Sequence, residues 1–268
     1  MERTAQPLDA DVLRTLLVGL WAQVDVVERT GSTNADLLAA AAGGAPDRSV
    51  LVAEHQEAGR GRLARTWVAP PGSGITVSIL LRPTGVPPSR FSWLPLLAGL
   101  AALDAVRELT TAPAGLKWPN DLLLGAEPRK VAGILAEVGD HGRPAVVVGI
   151  GMNVVSSPPD QPGATSLAAE GGPADRTAVL VALLTRLARR EAEWRESRGD
   201  PDATRLRSDY RAGCASLGSE VRVELPGGAV LTGIAEDVDR DGRLLLLDRA
   251  GHRRAVAAGD VVHLRRAD

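Results

Sequence analysis

Ile75, Val77, Ile79 and Leu81 alternate with intervening positions, the period-2 signature of a strand with one face buried. Shorter strand signals lie at residues 25–28 and 50–54. Between them GSTNADLLAAAAGG reads as a helix. Ser32 or Thr33 is its N-cap, Leu37 and Leu38 face a core, and Gly43-Gly44 stop it. Residues 92–109 form a long, mostly apolar helix. Four strand signals follow at 116–118, 122–124, 131–138 and 145–154, separated by Gly, Pro or charge, so hairpins are expected. Helical periodicity returns at 176–198 and 203–214. After residue 217 the pattern becomes short alternating strands with Gly turns, five in number through residue 264, the spacing of a small barrel. The pattern predicts an α+β fold: a mixed β-sheet with helices on one side over residues 1–216, then a small barrel over 217–268. Hairpin spacing between Leu116 and Val154 argues against a doubly wound parallel sheet. One short helical pattern (Val12, Leu13, Leu16, Leu17, Leu20) precedes the first strand, too little for a three-helix DNA-binding domain.

A chain of 268 residues buries roughly three quarters of its unfolded surface and needs no staples. The longest apolar run, residues 93–106, is interrupted by Asp104 and falls short of membrane-spanning length. Lys plus Arg number 31 against 33 Asp plus Glu, which argues against broad nucleic-acid binding. The single cysteine, Cys214, excludes an intramolecular disulfide framework. The start, MERTAQPLDA, lacks a basic-then-apolar signal pattern. The expectation is a soluble cytoplasmic protein that binds neither DNA nor membrane.

Composition sharpens the search. The only lysines are Lys117 and Lys130, and the only asparagines are Asn34, Asn120 and Asn153. Most surface positions accept Arg for Lys, so lysines kept in such a chain point to places where a compact ammonium is required, with chance survival as the alternative. The five fall in four short segments: GSTN, KWPND, RKVAGI and GIGMN. AGRGRLARTW adds a glycine–arginine loop in which Arg60, Arg62 and Arg65 can fork onto phosphate oxygens. A solvated arginine turn reads equally well there, and no Walker A sequence follows. Pro119 stiffens a turn that presents Asn120 and Asp121, which is also what an ordinary turn over a core Trp looks like. Lys130 starts a buried strand, which is costly unless it meets an anion, although snorkelling at the edge is the plainer alternative. STN at a helix start offers hydroxyls and free backbone donors, or simply a cap. His55, His141, His252 and His263 are scattered and make no metal-ligand cluster.

Together, and in this order, STN, the GRGR loop, KWPND, RKVAGIL and GIGMN resemble the biotin protein ligases over residues 24–264. That resemblance implies a class II synthetase-like catalytic core and an SH3-like C-terminal barrel. It implies activation of biotin by ATP with Mg²⁺ to biotinyl-5'-AMP. Biotin then passes to a lysine of a biotin carboxyl carrier protein. It places Ser32, Thr33, Asn34, Gln56, Gly59, Arg60, Gly61, Arg62, Lys130, Gly133 and Leu135 around biotin. Arg62, Arg65, Lys117, Asn120 and Asn153 fall to the nucleotide. Lys130, Arg60, Arg62, Lys117 and Asp121 fall to catalysis, with Asp121 orienting or deprotonating the acceptor amine. The chemistry agrees: two anions must meet, which demands cations, and no Cys or Ser nucleophile is needed. Family members usually carry Gly where this chain has Ala64. The loop over residues 59–66 is expected to order on ligand binding. A lipoate ligase on the same scaffold is disfavoured by GRGR and KWPND, and a biotin-responsive repressor by the short N-terminus. The C-terminal unit is expected to assist catalysis or acceptor docking rather than act alone, in a monomer or weak homodimer.

Overall fold

The computed structural model describes residues 6–62, 65–140, 144–225, 227–257 and 260–263. Ala64 and His141, singled out above, lie outside the described residues. Seven strands make one mixed sheet: β1 (Gln23–Thr30), β2 (Ser49–Gln56), β3 (Gly74–Leu81), β4 (Ala114–Lys117), β5 (Asp121–Leu124), β6 (Arg129–Asp140) and β7 (Pro144–Asn153). Their order is β1-β2-β3-β7-β6-β5-β4. Only β1 and β2 run parallel, because α2 (Thr33–Ala42) connects them. The remaining pairs are antiparallel, as the hairpin spacing predicts.

The alternation on β3 sorts its side chains to two different cores. Ile75, Val77, Ile79 and Leu81 join the main core with α3 (Trp93–Leu109) and α4 (Arg176–Glu196). α3 buries 12 of its 17 residues. A helix apolar all round must be enclosed, and this one lies between the sheet and α4. Leu80, on the other face of β3, joins Ala145 and Val147 of β7 beneath Leu37 and Ala41 of α2. The expectation of helices on one side is therefore corrected. The alternation that buries one face also leaves Leu80 and Val147 on the other, and α2 covers them.

The chain continues through α5 (Leu206–Gly213) to a second sheet of β8 (Glu220–Glu224), β9 (Val230–Val238), β10 (Leu244–Leu247), β11 (Arg253–Val256) and β12 (Asp260–His263). It is antiparallel in the order β11-β10-β9-β8-β12. The turn between β9 and β10 docks on the first unit through its main chain. Arg240 O accepts from Trp93 Nε1 at 2.8 Å and Arg90 Nη1 at 2.7 Å. Asp241 O accepts from Ser92 Oγ at 2.8 Å, and Gly242 O from Trp118 Nε1 at 3.1 Å. Asp239 closes the turn by accepting from the Asp241 and Arg243 amides at 2.9 and 3.0 Å. No helix among the described residues is long and apolar enough to cross a membrane. A short N-terminal helix, α1 (Ala10–Leu16), is capped by Asp9.

Candidate active site

A cavity of about 940 Å³ opens on the α2 side of the first sheet. Its floor follows from strand register. Gly133 faces Gly151, and Leu135 faces Gly149, across β6 and β7. These residues share a face with Val147, beyond the end of α2. The glycines of GIGMN are required by close approach. A Cβ at Gly149 would collide with the Asn34 amide, and one at Gly151 with the Trp67 indole.

One end of the cavity is polar and neutral. Ser32 caps α2, with its Oγ accepting from Ala35 N at 3.4 Å. Gln56 Oε1 accepts from Thr33 N at 2.9 Å and lies 3.2 Å from Thr33 Oγ1. Asn34 donates to Glu137 Oε2 at 2.7 Å and to Leu135 O at 3.3 Å. Its carbonyl oxygen lies 2.6 Å from the Oγ of buried Ser78.

The other end is cationic. Arg60, Arg62, Arg65, Lys117 and Lys130 line the cavity against one carboxylate, Asp121. Lys130 Nζ lies 2.7 Å from Asp121 Oδ1 and 5.6 Å from the centre of the Trp67 ring. The main chain of Lys130 is clamped from both sides. It pairs with Leu123 of β5, and on its other edge meets Gly163 O at 2.9 Å and Thr165 N at 2.9 Å. Arg62 Nη1 donates to Asn120 Oδ1 at 3.4 Å, while Asn120 Nδ2 donates to Ile134 O at 3.1 Å. The KWPND turn thus rests on β6. Its Trp118 is buried and Trp118–Pro119 is cis. Burial holds the Lys117 ammonium below its ordinary pKa. The nearby Asp121 offsets this in part, and Lys130 and Arg65 add to it. Burial lowers Arg62 likewise, against the pull of Asp121.

The glycine–arginine loop folds back on itself through Gly61 N to Arg65 O at 2.7 Å and Trp67 N to Gly59 O at 2.9 Å. That carries Trp67 over Gly133 and Gly151. Of the site residues expected from the sequence, all but two line the cavity. Gly59 is buried against Gln56 and Trp67. Asn153 follows Gly149 and Gly151 on one face of β7 but stands outside the cavity wall. Its Nδ2 donates to Thr165 O at 3.0 Å, and its Oδ1 has no partner. Sequence reasoning passed over Trp67, whose signal was its place at the end of AGRGRLARTW. It also passed over Thr76 and Gln161, which line the wall and sit in no motif, and Ile150, which lies inside GIGMN. Among the described residues no group of three or more His, Cys, Asp or Glu is placed to hold a metal ion. The donor set fits a cation carried by phosphates rather than a resident one.

A neutral, hydrogen-bonding pocket that runs into a five-cation chamber suits a ligase that joins a small carboxylate to a nucleotide. The model of the Biotin/lipoate A/B protein ligase family matches residues 26–154, and that of the Biotin protein ligase C terminal domain matches residues 216–264. The chain belongs to the biotin protein ligases. It is 49% identical to the biotin--[acetyl-CoA-carboxylase] ligase of Mycobacterium tuberculosis over 98% of both chains. It is 33% identical to the bifunctional ligase/repressor BirA of Bacillus subtilis, covering 87% of this chain and 71% of that one. A solved biotin protein ligase from Aquifex aeolicus, in complex with biotin and ATP, superposes with a TM-score of 0.76 at 29% identity. That match covers 91% of this chain and all of the other.

Proposed function

We propose that this chain activates biotin with ATP to biotinyl-5'-AMP and transfers the biotinyl group to a lysine of a biotin carboxyl carrier domain. The single observation that carries the reading is the five cations gathered beside the neutral pocket of Ser32, Thr33, Asn34 and Gln56. In the first half-reaction a biotin carboxylate oxygen attacks the α-phosphorus of ATP and pyrophosphate leaves. Both reactants are anionic, and Arg60, Arg62 and Lys130 offset their repulsion and the charge that develops. The ATP brings Mg²⁺ as part of the substrate. Gly59, Gly61, Gly133 and Leu135 border the biotin in this reading. Arg65, Lys117 and Asn120 hold the nucleotide. Asn153 also falls to the adenine in this reading, a contact that requires the wall over its buried Oδ1 to open.

In the second half-reaction a neutral lysine amine attacks the acyl carbon, and AMP leaves. Asp121 accepts the amine proton. Its ion pair with Lys130 supports a sequence of events: the anionic adenylate competes for Lys130, and the freed carboxylate turns to the amine. Residues 1–216 form the catalytic unit and 217–268 the C-terminal one. The five strands of the latter curve into an SH3-like barrel, and the first unit takes a class II synthetase-like form. The protein works in the cytoplasm, as a monomer or weak homodimer, without DNA or membrane contacts. The test is direct. Biotin with Mg·ATP should release pyrophosphate and then label an acceptor domain, whereas lipoate should do neither. Pyrophosphate release with lipoate alone overturns the reading.

A further inference from the structure

A chain of polar groups enters the neutral end of the cavity from Glu137, which is not in the cavity wall. It begins at Asn34 Nδ2, 2.7 Å from Glu137 Oε2 and 3.3 Å from Leu135 O. A carboxylate and a carbonyl only accept, so both amide hydrogens are committed and the Asn34 orientation is fixed. Asn34 Oδ1 therefore faces Ser78 Oγ, at 2.6 Å. That oxygen has no proton to offer, so the single Ser78 proton goes to it. Ser78 Oγ also lies 2.7 Å from Thr33 Oγ1. With its own proton spent, Ser78 must accept, and Thr33 must donate. Gln56 Oε1 is the other group near the Thr33 hydroxyl, at 3.2 Å, and it already accepts from Thr33 N. The shorter contact has the stronger claim on the one Thr33 proton. No hydrogen then lies between Thr33 Oγ1 and Gln56 Oε1, and both residues line the cavity.

We propose that Glu137 sets the proton order along Asn34, Ser78 and Thr33, and thereby makes Thr33 Oγ1 and Gln56 Oε1 a paired acceptor for an N–H group of the bound ligand. The proposal deepens the biotin reading and rests on it. The N–H groups of biotin are those of its ureido ring. A ligand with oxygen at that place meets two facing lone pairs. Glu137 touches no ligand and is a specificity-determining positioning residue.

The test compares biotin with its cyclic carbamate analogue, in which oxygen replaces one ureido N–H, by pyrophosphate release under Mg·ATP. The parent should prefer biotin in kcat/KM by at least about 100-fold, as sites built around a ligand N–H do. Glu137→Gln can donate as well as accept. The longer bond to Leu135 O is then the one contact that still holds the Asn34 amide, which can turn over and let the chain reverse, so that preference should fall at least about 10-fold, chiefly through the KM for biotin. The KM for ATP should not move. Ser78→Ala interrupts the chain by loss of one oxygen and should lower the preference in the same way. Equal weakening of both ligands, or an unchanged preference in both variants, overturns the proposal. A parent that releases no pyrophosphate with biotin overturns the biotin reading itself, and this inference with it.

Discussion

Lys130 and Lys117 share the cavity but do different work. Lys130 presents a compact ammonium beside Asp121 and against the Trp67 ring. A planar guanidinium does not reproduce that compact point charge. Lys130→Arg should lower the rate of adenylate formation at least about 100-fold while leaving the melting temperature close to that of the parent, in the range seen when one charge-stabilising donor is lost. A variant with the parent rate would remove Lys130 from the chemistry. Lys117 carries a burial cost, since its pKa lies below the ordinary 10.5. The folded chain then binds fewer protons than the unfolded one between the lowered pKa and 10.5, so stability rises with pH through that window. Lys117→Met should raise the melting temperature at neutral pH and flatten this rise, while weakening ATP binding. Nucleotide phosphates restore the charge. ATP binding at alkaline pH should therefore take up protons, measurable as a buffer-dependent calorimetric enthalpy. The scarcity of Lys and Asn made these residues legible. What the sequence could not reveal was the Lys130–Asp121 pair, because it depends on a β5–β6 register that no local pattern specifies.

Strands and hairpins were read well from alternation. The helix arrangement was read only in part. Two-sided burial of β3 and β7 is visible only once both strands are known to sit in mid-sheet, with Leu80 and Val147 under α2. The glycine–arginine loop shows the same limit. Its motif gave the cations but not the seat of Trp67 on two glycine-bearing strands. Gly151→Ala should displace that indole. The expected outcome is a loss of about 1–3 kcal/mol, as for other overpacked sites, together with weaker adenylate retention. Chemical denaturation and the adenylate off-rate check both. Hydrogen exchange across residues 59–67 should slow when biotin or adenylate is added, because the ligand adds negative charge beside the like charges of Arg60, Arg62 and Arg65. Equal protection with and without ligand would discard this ordering step.

At the scale of the whole molecule, the second sheet is fastened to α3 and to the KWPND turn. Trp118→Phe keeps one aromatic ring but deletes the pyrrole half of a buried indole, and with it the donor to Gly242 O. It should cost about 2–3 kcal/mol in stability, the lost bond and the cavity together. It should also slow adenylation more than it weakens biotin binding, because Lys117, Asn120 and Asp121 ride on the same turn. These four bonds fall on carbonyl oxygens of Arg240, Asp241 and Gly242, and half-exposed ion pairs of Asp241 with Arg90 and of Arg240 with Asp200 and Asp202 surround them. Any turn that holds three carbonyls at those points will serve. Gly242 is the exception, with φ of 77° and Leu96 pressed against the place of its Cβ. Spelling can thus drift at Arg240 and Asp241 at the small cost of those surface ion pairs, while shape cannot. A chimera carrying residues 217–268 from a distant relative should assemble and turn over, provided that the one glycine is kept.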